Sequence, residues 1–449
     1  MDITFFIFLL FGLQALYWVI GRRSSKNLKG KEDYFLAGKS VPFFPLLMTF
    51  LATQVGGGLV LGAAEEAYRY GWPVLLYPLG ASLGLIGLGL GLGKKLAKFP
   101  VSTVAQILEL VYRSPFLKKV ASILSVISLF MILVGQIIAS RKFLLTLGFS
   151  STPLFIFFWA IIIAYTVKGG LKAVISTDIA QAFVFSLVFF FSFAFVAWSS
   201  DWSAPMVVEP FASSSSKWVG WLLMPLLFMT IEQDMGQRCF AGDSPKTVSR
   251  ATFAAGVLTL LICCIPVFLG VFAKKMGVIP SEGASILMVA INAFTNPWIS
   301  AVVGCAVIAA IISTATSLIN AISSNLSQDF FREKEGVAFM QFLTALMSIG
   351  AILFAFFFNN VVDVLIQSYE LSLSCLFVPI FIALFRPQGN FISALLAIFI
   401  GLCSFCLFRF VASPFPSEIT SISLSFLGFC AGEFWVWSRK KRAAVETQM

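Results

Sequence analysis

In the run AAIISTATSLINAISS (309–324), Ala310, Ser313, Thr314 and Ser317 recur at i, i+3, i+4 and i+7, which puts them on one face of a helix. A hard monovalent cation needs several oxygens in place of its water. Two hydroxyls on such a stripe, with carbonyls freed where a neighbouring helix is broken, would supply them. Small residues on a stripe also let membrane helices pack closely, and the stripe alone does not choose between the two. Asp178, in GGLKAVISTDIAQAF (169–183), places a carboxylate inside an apolar run. Such a charge costs about 3 kcal/mol on insertion scales and is by default functional or paired; Lys172, six residues away, is a candidate partner. The third feature is FLATQVGGGLVLG (50–62), where Gly56, Gly57 and Gly58 follow Thr53 and Gln54. Glycine costs a helix about 1 kcal/mol per residue relative to alanine, so this stretch predicts a helix that opens and frees carbonyls at 52–58. Together the three features resemble a sodium site better than any of them does alone.

Other chemistry finds little support. The chain has no histidine, which removes the usual proton relay and any nucleophile–histidine pair; proton chemistry would fall to carboxylates. No phosphate loop and no metal-ligand cluster stands in the sequence, so no transition metal, no cofactor and no enzymatic activity is expected. The eight cysteines lie within or at the ends of apolar runs, and the C-x-x-C of Cys403 and Cys406 has no second pair. They read as small hydrophobes in a helix bundle.

The elements that must position these residues are membrane helices. Of 449 residues, 59% are hydrophobic, mean hydropathy is +0.94 and 50 are phenylalanine. A span needs about 20 mostly apolar residues, and the sequence supplies such runs at 3–21, 43–66, 72–93, 120–147, 152–168, 173–198, 218–240, 251–273, 296–328, 337–358, 362–385, 391–411 and 418–437. The first lacks a basic region before it and a cleavage site after it, and reads as a retained span. The expectation is an all-α integral membrane protein of about 13 transmembrane helices in one domain, 1–449. VSTVAQILELV (101–111) predicts a short helix at the inner surface, and 199–217 an outside loop.

Counting gives one leading helix (3–21), a first block of five (43–198), a second block of five (218–385) and two trailing helices (391–437). An odd number of spans per block inverts the second relative to the first. Both opening spans are interrupted, the first by its glycines and the second by Pro225 and the run Thr230, Ile231, Glu232, Gln233, Asp234. Interrupted segments at corresponding places in two halves point to a transporter's binding site. With the N-terminus outside and the C-terminus cytoplasmic, 24 of the 31 basic residues, Arg238 among them, fall on the inner side. The net charge of +10 is therefore a topology signal, and no nucleic-acid partner is expected.

The runs EDYFLAGKSVPFF (32–44), ATQVGGG (52–58) and GGLKAVISTDIAQ (169–181) resemble the solute:sodium symporter family, over about residues 20–385. That resemblance implies a LeuT-type fold of five-plus-five inverted repeats, cotransporting sodium and a small solute across the plasma membrane (the inner membrane of a bacterium). It puts the main sodium site on carbonyls of Ala52, Val55 and Ala310 and hydroxyls of Ser313 and Thr314, with Asp178 in the T-D-x-x-Q element tied to coupling. The segments ATQVGGG, GQRCFAGDSPKTVSRA (236–251) and IPVFLGVF (265–272) look most like the branch containing the high-affinity choline transporter. The tryptophans with which that branch surrounds a quaternary ammonium align with Gln54, Ile138 and Glu232 here. Choline is not the expected solute. Gln54 and Glu232, with Gly56, Gly57, Gly58, Gln233 and Gln136, instead describe a hydrogen-bonding pocket for a zwitterion, a polyol or an amine.

The function expected is sodium-driven import of a small polar organic solute, with sodium, solute and the lipid bilayer as the partners and no obligate protein partner. Two alternatives stand beside it. One is proton coupling through Asp178 or Glu232. The other is a solute sensor of the same fold, against which weighs that only Arg439–Met449 follow the last span.

Overall fold

The computed structural model describes residues 1–24, 31–149, 151–199, 210–213, 217–331, 337–411 and 415–446. Lys26, Lys29, Arg332 and Lys334 of the charge count, and most of the 199–217 connection, lie outside the described residues.

Nineteen α-helices run through the described residues: α1 (Ile3–Ser24), α2 (Lys31–Leu36), α3 (Phe43–Gln54), α4 (Ala63–Tyr70), α5 (Leu76–Gly87), α6 (Gly93–Leu96), α7 (Val104–Tyr112), α8 (Pro115–Thr146), α9 (Thr152–Ser199), α10 (Trp218–Phe228), α11 (Gln233–Ala241), α12 (Pro245–Lys275), α13 (Ile286–Phe294), α14 (Pro297–Phe330), α15 (Val337–Phe354), α16 (Val361–Ser372), α17 (Val378–Ala383), α18 (Phe391–Leu407) and α19 (Ser417–Glu446). Every apolar run expected to span is helical. Eight helical stretches are long and apolar enough to cross a bilayer, and the bent pair Phe43–Gln54 and Gly58–Tyr70 makes a ninth. Three further apolar helices are shorter: Phe155–Ala164, Gln341–Phe357 and Phe391–Leu407.

Local sequence explains where the long helices start. Ser114-Pro115, Ser244-Pro245 and Asn296-Pro297 each join a capping side chain to a proline at the first helical position. The cap's oxygen takes an orphan backbone N–H and the proline has none to offer. Asn296 Oδ1, for instance, accepts from Trp298 N at 3.1 Å and Ile299 N at 2.9 Å. The expected inner helix is α7, opened by a capping box between Thr103 and Gln106; its apolar face is buried in protein. The two runs 152–168 and 173–198 form one helical stretch bent at Gly170, whose φ of 60° lies in the left-handed region that favours glycine. Helix α13, between the eighth and ninth runs, was not expected. It is nine residues long, too short for a span and hidden from a search for them.

Helix α14 is the hub. It packs against α1, α3, α8, α9 and α15, and nearly all its length is buried. Around it the two broken helices cross-connect. Lys217, before α10, reaches Glu66 of α4 at 3.3 Å and Asp363 of α16 at 3.2 Å. At the other end Val41, before α3, exchanges backbone hydrogen bonds with Ala241 and Asp243, after α11.

Candidate functional site

The first break takes in Val55 and Gly56, inside the expected 52–58 and narrower than it. Helix α3 stops at Gln54, and Val55 has left it at φ −82° and ψ 81°. The chain re-enters as a π-helical turn, Gly58–Gly62, that runs into α4 at 55° to α3. The glycines therefore do two jobs. A side chain at Gly56 would meet the Thr314 hydroxyl, and one at Gly57 would meet Ala139 of α8. The second break likewise falls a turn past Pro225, which sits inside α10; residues 229–232 turn, and Glu232 caps the start of α11.

The α14 stripe faces the first break. Ser313 Oγ lies 2.8 Å from Ala52 O and 2.9 Å from Ala310 O. Thr314 Oγ1 is 3.3 Å from Ala52 O, 3.0 Å from Thr53 O and 3.2 Å from Ala310 O. Two hydroxyls and three carbonyls thus converge from two helices, all on buried residues, and the third carbonyl is that of Thr53 where Val55 was expected. An all-oxygen, uncharged donor set fits a hard monovalent cation.

Asp178 is paired, but not with Lys172, which binds Asp33 at 2.9 Å. Its partner is Arg238 of α11, and both side chains are fully buried. Arg238 Nη2 donates to Asp178 Oδ2 at 3.3 Å and to Ser317 Oγ at 2.6 Å, Nε to Thr49 Oγ1 at 2.9 Å, and Nη1 to Asp234 O at 3.0 Å. Thr49 also donates to Asp178 at 2.5 Å, and Ser317 lies 3.0 Å from Thr53 Oγ1. Arg238 is thus no inner-loop charge, and it drops out of the topology count. Asp178 does not touch Ser313 or Thr314; it is joined to that stripe through Arg238, Ser317 and Thr53.

Between the breaks lies a small cavity lined by Gln54, Gly56, Gly58, Gln136, Glu232 and Asp234, with Tyr77 and Tyr369. It leaves about 20 Å³ for the centres of water-sized molecules, room for one or two waters, so its walls must part to admit an organic molecule. Larger cavities, of about 390 and 680 Å³, lie elsewhere and are lined by neither break. Gln136 Oε1 accepts from Gly57 N at 2.7 Å. The carboxyl groups of Glu232 and Asp234 lie against one another. Gln233 points elsewhere: its Oε1 accepts from Val104 N at 2.7 Å and its Nε2 donates to Ser102 O. Adjacent residues on a helix face different ways, so Glu232 in the cavity puts Gln233 out of it, against the start of α7. Asp234, two further along and beside Glu232, is the lining residue that sequence reasoning passed over.

The model of the sodium:solute symporter family matches residues 34–401. The chain belongs to this family. Among the chain's relatives, the high-affinity choline transporter 1 of Drosophila melanogaster is 25% identical over 361 residues, 74% of this chain and 56% of that protein. The sodium/glucose cotransporter of Vibrio parahaemolyticus is 23% identical over 365 residues, 70% of this chain and 66% of that protein. The chain thus spans between half and two thirds of the length of these two relatives, both of which are transporters and not enzymes. A sodium-coupled sialic acid symporter in a substrate-bound outward-open state superposes with a TM-score of 0.74 at 18% identity, covering 95% of this chain and 96% of that one. A nucleobase-cation-symport-1 family transporter in a closed conformation gives 0.61 at 15%. The chain therefore shares their fold.

Proposed function

We propose that this protein is a sodium-coupled secondary active symporter that imports a small polar organic solute across the cell's plasma membrane by alternating access. The observation that carries the reading is the meeting of Ser313 and Thr314 with the Ala52 carbonyl at the broken end of α3. In this reading the architecture is about 13 spans: a leading helix (3–21), two inverted five-helix repeats (43–198 and 218–385) and two trailing helices (391–437). The N-terminus is outside. Sodium is held by Ala52, Val55, Ala310, Ser313 and Thr314, with Asp178 acting at a distance through Arg238. The solute lies between the breaks, against Gln54, Gly56, Gly58, Gln136 and Glu232, while Gly57 shapes the wall.

Sodium in place would draw the α14 hydroxyls and the α3 carbonyls onto one centre and so fix the first break against the hub. Moving one charge inward yields about 2.3 kcal/mol per 100 mV, roughly a 50-fold accumulation. The relatives' printed names, which join sodium to glucose, sialic acid, pantothenate or proline, support the coupling ion and leave the solute class open.

The test is sodium binding by purified protein, followed as a rise in melting temperature with sodium over potassium. Thr314→Ala should raise the sodium concentration needed for half of that effect by about tenfold, the loss of roughly 1.4 kcal/mol of ligation. A sodium response indifferent to Thr314→Ala and Ser313→Ala would overturn the site. The adjoining carboxyls of Glu232 and Asp234 favour a second reading, proton coupling; uptake that follows a pH gradient and ignores sodium would decide for it.

A further inference from the structure

Three buried carboxyl groups, Asp178, Glu232 and Asp234, face a single buried guanidinium, that of Arg238. Buried charges are held only when paired. Asp178 and Arg238 cancel through their direct contact, which leaves the two carboxyls of the central cavity. Among its described lining residues there is no lysine or arginine. Lying against one another, those two hold a proton between them in the empty cavity, and so carry one negative charge. The cavity's described lining offers no cation of its own to answer it.

The orphaned atoms say where. Glu232 is 6% exposed and lines the cavity, and its Oε2 is buried with no hydrogen-bond partner. A carboxylate oxygen left bare in a low-dielectric site costs far more than a made hydrogen bond returns, so the atom marks a missing donor. Gln54 and Gln136 add amide oxygens around the same space, and acceptors of this kind call for N–H donors. Tyr77 and Tyr369 are the aromatic lining residues, fewer faces than enclosing a quaternary ammonium calls for.

We propose that the solute carries an N–H-bearing positive charge, a protonated amine, and that Glu232, supported by Asp234, receives it. This rests on the symport reading and names the solute class for the same site. With the solute in place the charges close at the cavity: the ammonium answers the one charge that Glu232 and Asp234 carry between them, as Arg238 answers that of Asp178, while sodium sits among uncharged oxygens.

The experiment is a melting-temperature screen of the purified full chain, with and without sodium. It uses matched compounds that differ only in the charged group: ethanolamine, ethylene glycol and glycolate; putrescine, 1,4-butanediol and succinate; and choline as the quaternary counterpart of ethanolamine. The expected result is stabilisation by compounds bearing a protonated amine, none by their neutral, anionic or quaternary partners, and an amine affinity at least tenfold weaker in Glu232→Gln. A second measurement needs no variant. The charge moved per ethanolamine taken up into liposomes by the wild-type protein should be two, one from sodium and one from the amine. Stabilisation by a neutral or anionic partner, or by no amine at all, overturns the proposal, as does a ratio of one. In those cases an intact sodium response leaves the symport reading standing, whereas loss of the sodium response would bring down that reading itself.

Discussion

Arg238 makes four hydrogen bonds in a place that water does not reach. They run to α3, α9 and α14 and back to its own helix, α11, so one planar fork fixes the relation of four elements. Arginine suits this because its donors are rigidly arranged and its charge is not lost. Removing one member of a buried pair typically costs about 3–5 kcal/mol, because the other is left uncompensated, while removing both can be close to neutral. Arg238→Met should therefore lower the melting temperature sharply, Asp178→Asn somewhat less, and the double variant should recover much of the loss. A double variant as unstable as the sum of the singles would show that the pair is not a unit. The pairing also constrains mechanism: Arg238 answers the charge of Asp178 through Oδ2, while the buried Oδ1 is left without a hydrogen bond.

At the scale of elements, the two breaks were legible in the sequence and their edges were not. Hydropathy located the long apolar helices, though not the nine-residue α13, and three glycines in a row announced the first opening, because both signals are local. The helix nevertheless ends at Gln54, ahead of the glycines. The glycines are needed for close approach as much as for the opening: Gly57 lies against Ala139, and its N–H is held by Gln136. The hydroxyl stripe on α14 was legible for the same reason as the helices, since its spacing is fixed by one helix. The partner of Asp178 was not. Arg238 lies 60 residues away, in a segment whose other basic residues read as loop charges, and only the packing of α9 and α11 on α3 and α14 brings them together. Gln233 and Asp234 failed in the same way, because a helix start read from sequence does not say which of its first side chains turns inward. Gly57→Ala tests the packing role. A side chain there would overlap Ala139, so it should cost about 1–3 kcal/mol and lower the melting temperature. Gly12→Ala on α1, with nothing within 4 Å, should be neutral or slightly stabilising by helix propensity. Equal effects would mean that Gly57 matters only for helix breaking.

For the whole molecule the remaining question is which end faces the cytoplasm, and the charges bear on it in a particular way. Arg69 and Lys142 converge on Glu65 at 2.7 and 2.5 Å, and Lys217 on Glu66 and Asp363. Lys94 and Lys95 lie in α6 and Lys98 just after it, Arg113 stands between α7 and α8, and Lys118 is in the first turn of α8. Lys95 lies over the ring of Phe385, next to Arg386, so these bases gather at one end of the bundle. Orientation follows the count of lysine and arginine near span ends and is little affected by acids. The end carrying Lys94, Lys95 and Lys98 is thus expected inside even without Arg238, which the fold withdraws from the count. Lys98 and Ser281 are exposed and sit in the connections that this topology assigns to opposite sides. In intact cells a charged, impermeant maleimide should label Ser281→Cys, and should label Lys98→Cys only after permeabilisation. Background from native thiols should be low: Cys239, Cys263, Cys305 and Cys375 are buried, and Cys403, Cys406 and Cys430 are exposed on apolar helices that would face lipid. Labelling of Lys98→Cys from outside would invert the molecule and put the end carrying Lys94, Lys95 and Lys98 outside, against the count of basic residues; the sodium gradient would still drive the solute inward.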